Sequence, residues 1–257
     1  MNMTSFKDKW AAAVKQKNSL LCVGIDSQDR DDKLQWCISI INAVAPHASA
    51  VKVNRNYILD LSRKETQELV NNIHKQNMIA IMDNKLSDIG STNDAGFHHA
   101  AIEGFDAVTV SPFPGNIEEA TAQAHAHNLG IIILVLMSNP EYTMMKTATI
   151  DEKKAYEHIA QQIKKCSADG IVIGAPSQTN HISVEEIKEV KRIIHDCCIL
   201  VPGIGAQGGD IKPLIELFSD NVIANVGRVI INAANPENEA KRYKEMLNRL
   251  RAEMMNT

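Results

Sequence analysis

Surplus positive charge is missing from this chain: 27 lysines and arginines stand against 31 aspartates and glutamates in 257 residues, a net charge of −4. With a pI near 6.1 there is no general field to attract a phosphate backbone, so a nucleic-acid polymer is not an expected partner. Any phosphate bound here must be captured locally. Paired cysteine motifs are absent too. The five cysteines (Cys22, Cys37, Cys166, Cys197, Cys198) are odd in number, form no CxxC and lie mostly in apolar runs, which fits a reduced chain without a disulfide framework. No apolar run approaches the ~18 residues of a membrane span. The charged opening MNMTSFKDKWAAAVKQKNS lacks the apolar stretch of a secretory leader. A cytoplasmic protein with no membrane partner is expected. Finally, no Pro/Gly/Ser-rich linker or charge block divides the chain, so one domain over residues 1–257 is expected, a length that α/β barrels commonly reach.

What is present is a repeated theme. Short runs of Val, Ile and Leu at 21–26, 50–54, 78–83, 107–112, 131–138, 170–175, 199–203 and 222–227 have the near-continuous apolar character of parallel strands buried on both faces. Helical periodicity fills the intervals at 32–45, 66–76, 116–128, 151–167, 184–196 and 208–218, with further helices at 5–16 and 236–254. Strand alternating with helix implies right-handed βαβ units, and eight of them predict a (β/α)8 TIM barrel with an extra N-terminal helix.

A barrel builds its site at the C-terminal ends of its strands. Those ends carry Asp26, Lys52 with Asn54, Asp83 with Lys85, Ser111, Ser138, a turn at 174–176, the segment 203–209, and Gly227 with Arg228. The run Asp83-Asn84-Lys85-Leu86-Ser87-Asp88 leaves the third strand. Period-two alternation turns Asp83 and Lys85 to one side, and Lys52 at the end of the adjacent strand can reach the same space. Each ammonium group would hold a carboxylate ionised and the reverse. Such a network suits protonation of a carbanion, because an ammonium at the reacting carbon stabilises the charge and donates the proton. The same string also reads as a helix start, with Asp88 and Ser91 as caps and Lys85 lying along the surface.

The second cluster is Pro202-Gly203-Ile204-Gly205-Ala206-Gln207-Gly208-Gly209 with Asn225-Val226-Gly227-Arg228. Glycine turns after strands seven and eight let backbone N–H groups approach a phosphate, and Arg228 adds a two-pronged donor. GxGxxG at 203–208 would mark a dinucleotide site after a first strand. It follows the seventh here, which favours a phosphate cup over that reading and over a purely structural turn.

Together, Asp26, Lys52, Asp83-x-Lys85-x-x-Asp88-Ile89-x-x-Thr92, Met137-Ser138, Pro202 to Gly209 and Val226-Gly227-Arg228 closely resemble the orotidine 5′-phosphate decarboxylase family, in order and across all eight strands. The resemblance implies conversion of orotidine 5′-monophosphate to UMP and CO2, the last step of de novo UMP synthesis, without metal or cofactor. By resemblance Asp26 binds ribose, Lys52 bridges ribose and the charge network, Asp83 lies near the substrate carboxylate, and Lys85 protonates C6. The family is dimeric with shared sites, so Asp88, Ile89 and Thr92 are expected in the partner's pocket. Ser138 would bond the pyrimidine edge, Pro202 would line the base pocket, and Gln207, Gly227 and Arg228 would hold the phosphate. Segment 175–183 is a candidate lid, given that phosphate binding can drive loop closure. The sequence departs from the family at Asn84, where alanine is common, and at Asn139-Pro140-Glu141, which replaces His-Pro-Gly.

Three rivals remain: an Mg2+-dependent 3-keto-L-gulonate 6-phosphate decarboxylase or hexulose-phosphate synthase type barrel, a Schiff-base aldolase with a neutral Lys85, and a barrel that binds sugar phosphates without turnover. His98-His99 and His125-x-His127 lack the i, i+4 spacing of a helical zinc pair and are read as packing or surface residues. Cys197-Cys198 is read as core, and the charged stretch at 236–254 as a solvated amphipathic helix.

Overall fold

The computed structural model describes residues 5–26, 30–178 and 180–255. Eight parallel strands close into a barrel, each paired with its neighbours in the chain and the last with the first. They are β1 (Leu21–Ile25), β2 (Ala50–Asn54), β3 (Ile79–Leu86), β4 (Ala107–Val110), β5 (Gly130–Leu136), β6 (Gly170–Ile173), β7 (Cys198–Val201) and β8 (Val222–Val226). Every expected strand is present, and the (β/α)8 fold is as the sequence predicts. Nearly all strand residues are buried, because one face fills the lumen and the other is covered by helices. The exceptions, Asn54, Asn84, Lys85, Leu86 and Asn225, lie at or near the C-terminal ends of β2, β3 and β8.

The helices are α1 (Phe6–Lys17), α2 (Lys33–Val44), α3 (Arg63–Lys75), α4 (Gly90–Glu103), α5 (Ile117–Ala126), α6 (Thr143–Thr147), α7 (Ala155–Cys166), α8 (Val184–Ile193), α9 (Lys212–Phe218), α10 (Arg228–Ile231) and α11 (Pro236–Met255). The first of them seals the N-terminal end of the barrel. Its Trp10 is buried and donates from Nε1 to the Asp220 carbonyl at 2.8 Å. Phe6 fills the space beside Gly130, where a Cβ would come within 2.5 Å of its ring.

Several helix boundaries differ from expectation, some for evident local reasons. α3 begins three residues early because Ser62 and Glu65 form a reciprocal capping box (2.8 and 3.3 Å). α9 begins at Lys212 and not at 208, since Gly208, at φ 63°, belongs to a loop. α4 has no periodic run in the sequence beyond the helix start offered at Asp88 and Ser91. Its buried face is Asn93, Phe97, Ala100 and Glu103, so the apolar period is broken by two polar residues. Glu103 accepts from Arg55 at 3.0 and 3.2 Å, which satisfies the buried carboxylate. An insertion after β5, made of α6 and a hairpin pairing Thr149–Ile150 with Lys153–Lys154, also had no periodic signal. It delays α7 to Ala155.

At the N-terminal end of the barrel two aspartates repeat one device. Asp106, just before β4, accepts from the Ala80 N–H of β3 (3.0 Å), pairs with His74 (2.9 Å) and accepts from Lys9 (2.9 Å). Asp169, just before β6, accepts from the Ile131 N–H of β5 (3.0 Å) and pairs with His125 (2.9 Å). His127 pairs with Asp94 at 2.9 Å. Both histidines of that motif are therefore engaged by carboxylates. The adjacent thiols Cys197 and Cys198 are buried, as expected of core residues.

Candidate active site

β2 and β3 run in register, with Lys52 opposite Ile81 and Asn54 opposite Asp83. This brings the Lys52 ammonium to 2.5 Å from Asp83 Oδ2, both side chains being about a tenth exposed or less. Beyond Asp83 the ladder between β3 and β4 is irregular: Met82 pairs with Val108, but the next pair is Leu86 with Val110. Four residues advance on β3 against two on β4, so two extra residues bulge out. Lys85 sits in that bulge at φ 48°, a left-handed conformation uncommon for a lysine. Its ammonium turns back to Asp83 Oδ1 at 2.7 Å. Period-two alternation thus anticipated the contact, although the backbone achieves it by a bulge and not by extension.

The two bonds leave Asp83 between two cations. Burial alone would raise its carboxyl, but Lys52 and Lys85 outweigh burial and hold it at about 2. Asp83 is therefore a fixed negative charge at any physiological pH. Burial likewise opposes the charge on Lys52, and Asp83 with help from Asp26 reverses that, leaving Lys52 above the ordinary lysine value. Cys22 lies beside this network as a neutral thiol, pushed by burial up to about 12.

Two adjoining cavities open around the network and share Lys52, Asp83 and Pro202. One, of about 190 Å3, adds Lys85, Thr109 and Ser138 to an apolar wall of Leu134, Met137, Val172 and Leu200. The other, of about 170 Å3, is polar and adds Asp26, Asn54, Gln207, Asn225, Gly227 and Arg228. Gly203, Gly205 and Gly227 bring bare backbone to its wall. A Cβ on Gly24 would lie 3.1 Å from Asn225 Oδ1, and one on Gly227 would lie 3.2 Å from the Gly24 carbonyl and 3.7 Å from Asp26 Oδ2. Glycine at both positions lets β1 and the end of β8 approach closely beside this cavity. One carboxyl oxygen of Asp26 is buried with no hydrogen-bond partner among the described residues. Arg228 is exposed and pairs with no carboxylate among them. The combined space suits an elongated ligand with a flat, partly apolar head, a hydroxylated middle and an anionic tail.

A family model described as "Orotidine 5'-phosphate decarboxylase / HUMPS family" matches residues 19–243. The chain belongs to this family. A relative from Dechloromonas aromatica named orotidine 5'-phosphate decarboxylase is 30% identical, over 94% of this chain and 95% of its own. One of the same name from Methanocaldococcus jannaschii is 30% identical, over 89% of this chain and 99% of its own. Among solved structures, a putative orotidine-monophosphate-decarboxylase from Toxoplasma gondii superposes with a TM-score of 0.87 over 100% of both chains at 23% identity. That likeness speaks for the fold alone.

Set beside the family's expected site, the structure gathers Asp26, Lys52, Asp83, Lys85, Ser138, Pro202, Gln207, Gly227 and Arg228 around the two cavities. It leaves Asp88, Ile89 and Thr92 exposed on the same chain, lining neither. A helix does start there, α4 at Gly90, but Asp88 and Ser91 are not its caps. The N-cap of α4 is Ile89, with no side-chain cap, and Lys85 is tied to Asp83. Segment 175–183, apart from Thr179, which lies outside the described residues, is organised around buried Asn180. That side chain accepts from Ser177 and Ile182 N–H (both 3.1 Å) and donates to the Ala175 carbonyl (2.7 Å). Lys146 of α6 adds a bond to the His181 carbonyl and an ion pair to Glu186. Asn225, part of the second cluster, lines the polar cavity as that cluster implies, whereas Thr109 was not anticipated as a site residue. Thr109 sits inside an apolar strand run, and only its placement across from β3 shows that it meets the network.

Proposed function

We propose that this protein decarboxylates orotidine 5′-monophosphate to UMP and CO2, the last step of de novo UMP synthesis, within a barrel that forms one domain. The observation that carries the reading is the Lys52–Asp83–Lys85 network at the junction of a part-apolar cavity and a polar one. In this reading Arg228, Gln207 and Gly227 hold the phosphate, Asp26 and Lys52 take ribose hydroxyls, and Ser138 and Pro202 bound the pyrimidine. The substrate carboxylate then lies beside Asp83, whose own charge is permanent, so the ground state carries a repulsion that departure of neutral CO2 relieves. The C6–carboxylate bond breaks and its electron pair stays on C6. Lys85 stabilises that charge and transfers a proton from Nζ to C6. With its side chain 44% exposed, Lys85 regains a proton from solvent.

A homodimer completes the proposal, with Asp88, Ile89 and Thr92 entering the partner's site. Support comes from large apolar side chains exposed after β2, β3 and β4: Leu59 at 67%, Ile89 at 62% and Phe113 at 83%. The deciding experiment follows the orotate absorbance of orotidine 5′-monophosphate with purified protein in EDTA. Loss of the chromophore with release of UMP is expected. An unchanged spectrum at micromolar enzyme defeats the proposal, and turnover of a sugar phosphate only when Mg2+ is restored would transfer the chain to the metal-dependent branch.

A further inference from the structure

Thr109 lies at the third position of β4, buried to 1% exposure, in a run (Ala107–Val110) that otherwise offers only apolar side chains. It faces the bulge of β3. There the backbone N–H of Lys85 has no β4 carbonyl opposite, and it donates to Thr109 Oγ1 at 2.9 Å. A threonine hydroxyl has one proton to give. With Oγ1 already accepting from Lys85, that proton points to Asp83 Oδ1, 3.0 Å away. Asp83 is consequently held from three strands: Lys52 of β2 on Oδ2, and Lys85 of β3 and Thr109 of β4 on Oδ1.

We infer that Thr109 is a positioning residue for the decarboxylation, replacing the missing ladder partner of Lys85 and fixing the carboxylate against which the Lys85 ammonium is aimed. This rests on the proposed function for its kinetic consequences, while the bond to the Lys85 amide stands independently of any substrate. The left-handed backbone at Lys85 is unfavourable in itself and persists only where its surroundings hold it. Without the hydroxyl, the Lys85 N–H loses its partner and Asp83 Oδ1 loses one of its two bonds, so its aim is less fixed. Misplacing a reacting group by about 1 Å costs on the order of 100-fold in rate. Binding should suffer little, because the polar cavity that would take ribose and phosphate does not include Thr109.

The test compares wild type with Thr109→Val, which keeps the shape and removes the hydroxyl, and with Thr109→Ser, which keeps the hydroxyl. Steady-state kinetics with orotidine 5′-monophosphate should show kcat lower by about 10- to 100-fold in Thr109→Val, with KM within about threefold. Thr109→Ser should restore kcat to within about threefold of wild type. In parallel, NMR hydrogen exchange of the Lys85 amide should accelerate by about tenfold or more in Thr109→Val and return towards wild type in Thr109→Ser. Unchanged kcat in folded Thr109→Val overturns the inference, as does a serine variant as impaired as the valine one, which would assign the effect to the methyl group. Should Thr109→Val not fold, Thr109→Ala supplies the same readouts. If wild type itself does not turn over the substrate, the proposed function falls, and the exchange measurement still decides whether Thr109 holds Lys85.

Discussion

Replacing Asp83 by asparagine keeps the side chain's size and removes the charge that lies between two ammonium groups. Lys52, 6% exposed, then has no direct counter-ion. Removing one partner of a buried pair costs about 3–5 kcal/mol. Asp26 remains, and its charge also favours the protonated form of Lys52, which places the loss near the lower end, at about 3 kcal/mol. For a chain of this size each kcal/mol lowers Tm by about 2–4 °C, so Asp83→Asn should melt about 6–12 °C below wild type at pH 7.

The pH dependence separates this account from a simple packing defect. In wild type Lys52 is held above its ordinary 10.5, so the contribution of the pair is complete at neutral pH and is lost only as pH rises through that elevated value. In the variant burial acts without Asp83 and lowers Lys52. The unfolded chain then binds more protons than the folded one in the window below about 10.4, and stability rises with pH across it. Circular-dichroism melts of both proteins at pH 7, 8, 9 and 10 should show the Tm gap closing steadily. A gap that is absent at pH 7, or that stays constant to pH 10, refutes the reasoning that Lys52 is a charge stranded by loss of its partner.

Three further outcomes follow from the same geometry. Lys85→Ala should lower kcat by at least about 10³-fold, since it removes both the proton donor and the nearby positive charge. Calorimetry should find UMP binding within about tenfold of wild type, and loss of UMP binding would assign Lys85 to affinity instead. Arg228→Ala should lower kcat/KM for the phosphorylated substrate by about 10- to 150-fold, the worth of a charge-assisted pair, and leave turnover of the bare nucleoside unchanged. An equal loss on both substrates would contradict a phosphate role. At the other end of the barrel, burial tends to raise Asp106, but His74, Lys9 and the Ala80 N–H hold it below the usual carboxylate range. Its contribution is thus present above about pH 4 and lost as pH falls through the lowered value. The Tm difference between wild type and Asp106→Asn should shrink below about pH 4, and a difference independent of pH would show that the aspartate acts by shape alone.

The architecture could be read from the chain because strands buried on both faces announce themselves as unbroken Val/Ile/Leu runs, and all eight appear where those runs lie. α4 could not be read this way. Its buried Glu103 is paired with Arg55 and the Asn93 amide donates to Gln123, both on other elements, and tertiary partners leave no trace in a local period. In the site, Asp26, Lys52, Asp83, Lys85, Ser138 and Arg228 stood out because each interrupts or terminates an apolar run. Thr109 interrupts its run less visibly, in AVTV, where threonine passes for an ordinary strand residue.

What makes Thr109 part of the site is register between neighbouring strands, and a single sequence does not contain register. The bulge in β3 shows why this matters chemically. An extended β3 would give the Lys85 N–H an ordinary carbonyl partner and leave the Thr109 oxygen without the donor it now accepts. The two extra residues aim the lysine at Asp83 and create a donor with no partner, and the strand next door supplies the hydroxyl that accepts it. Catalytic geometry here is thus a property of three strands together, and the residue that completes it looks least like a catalytic one.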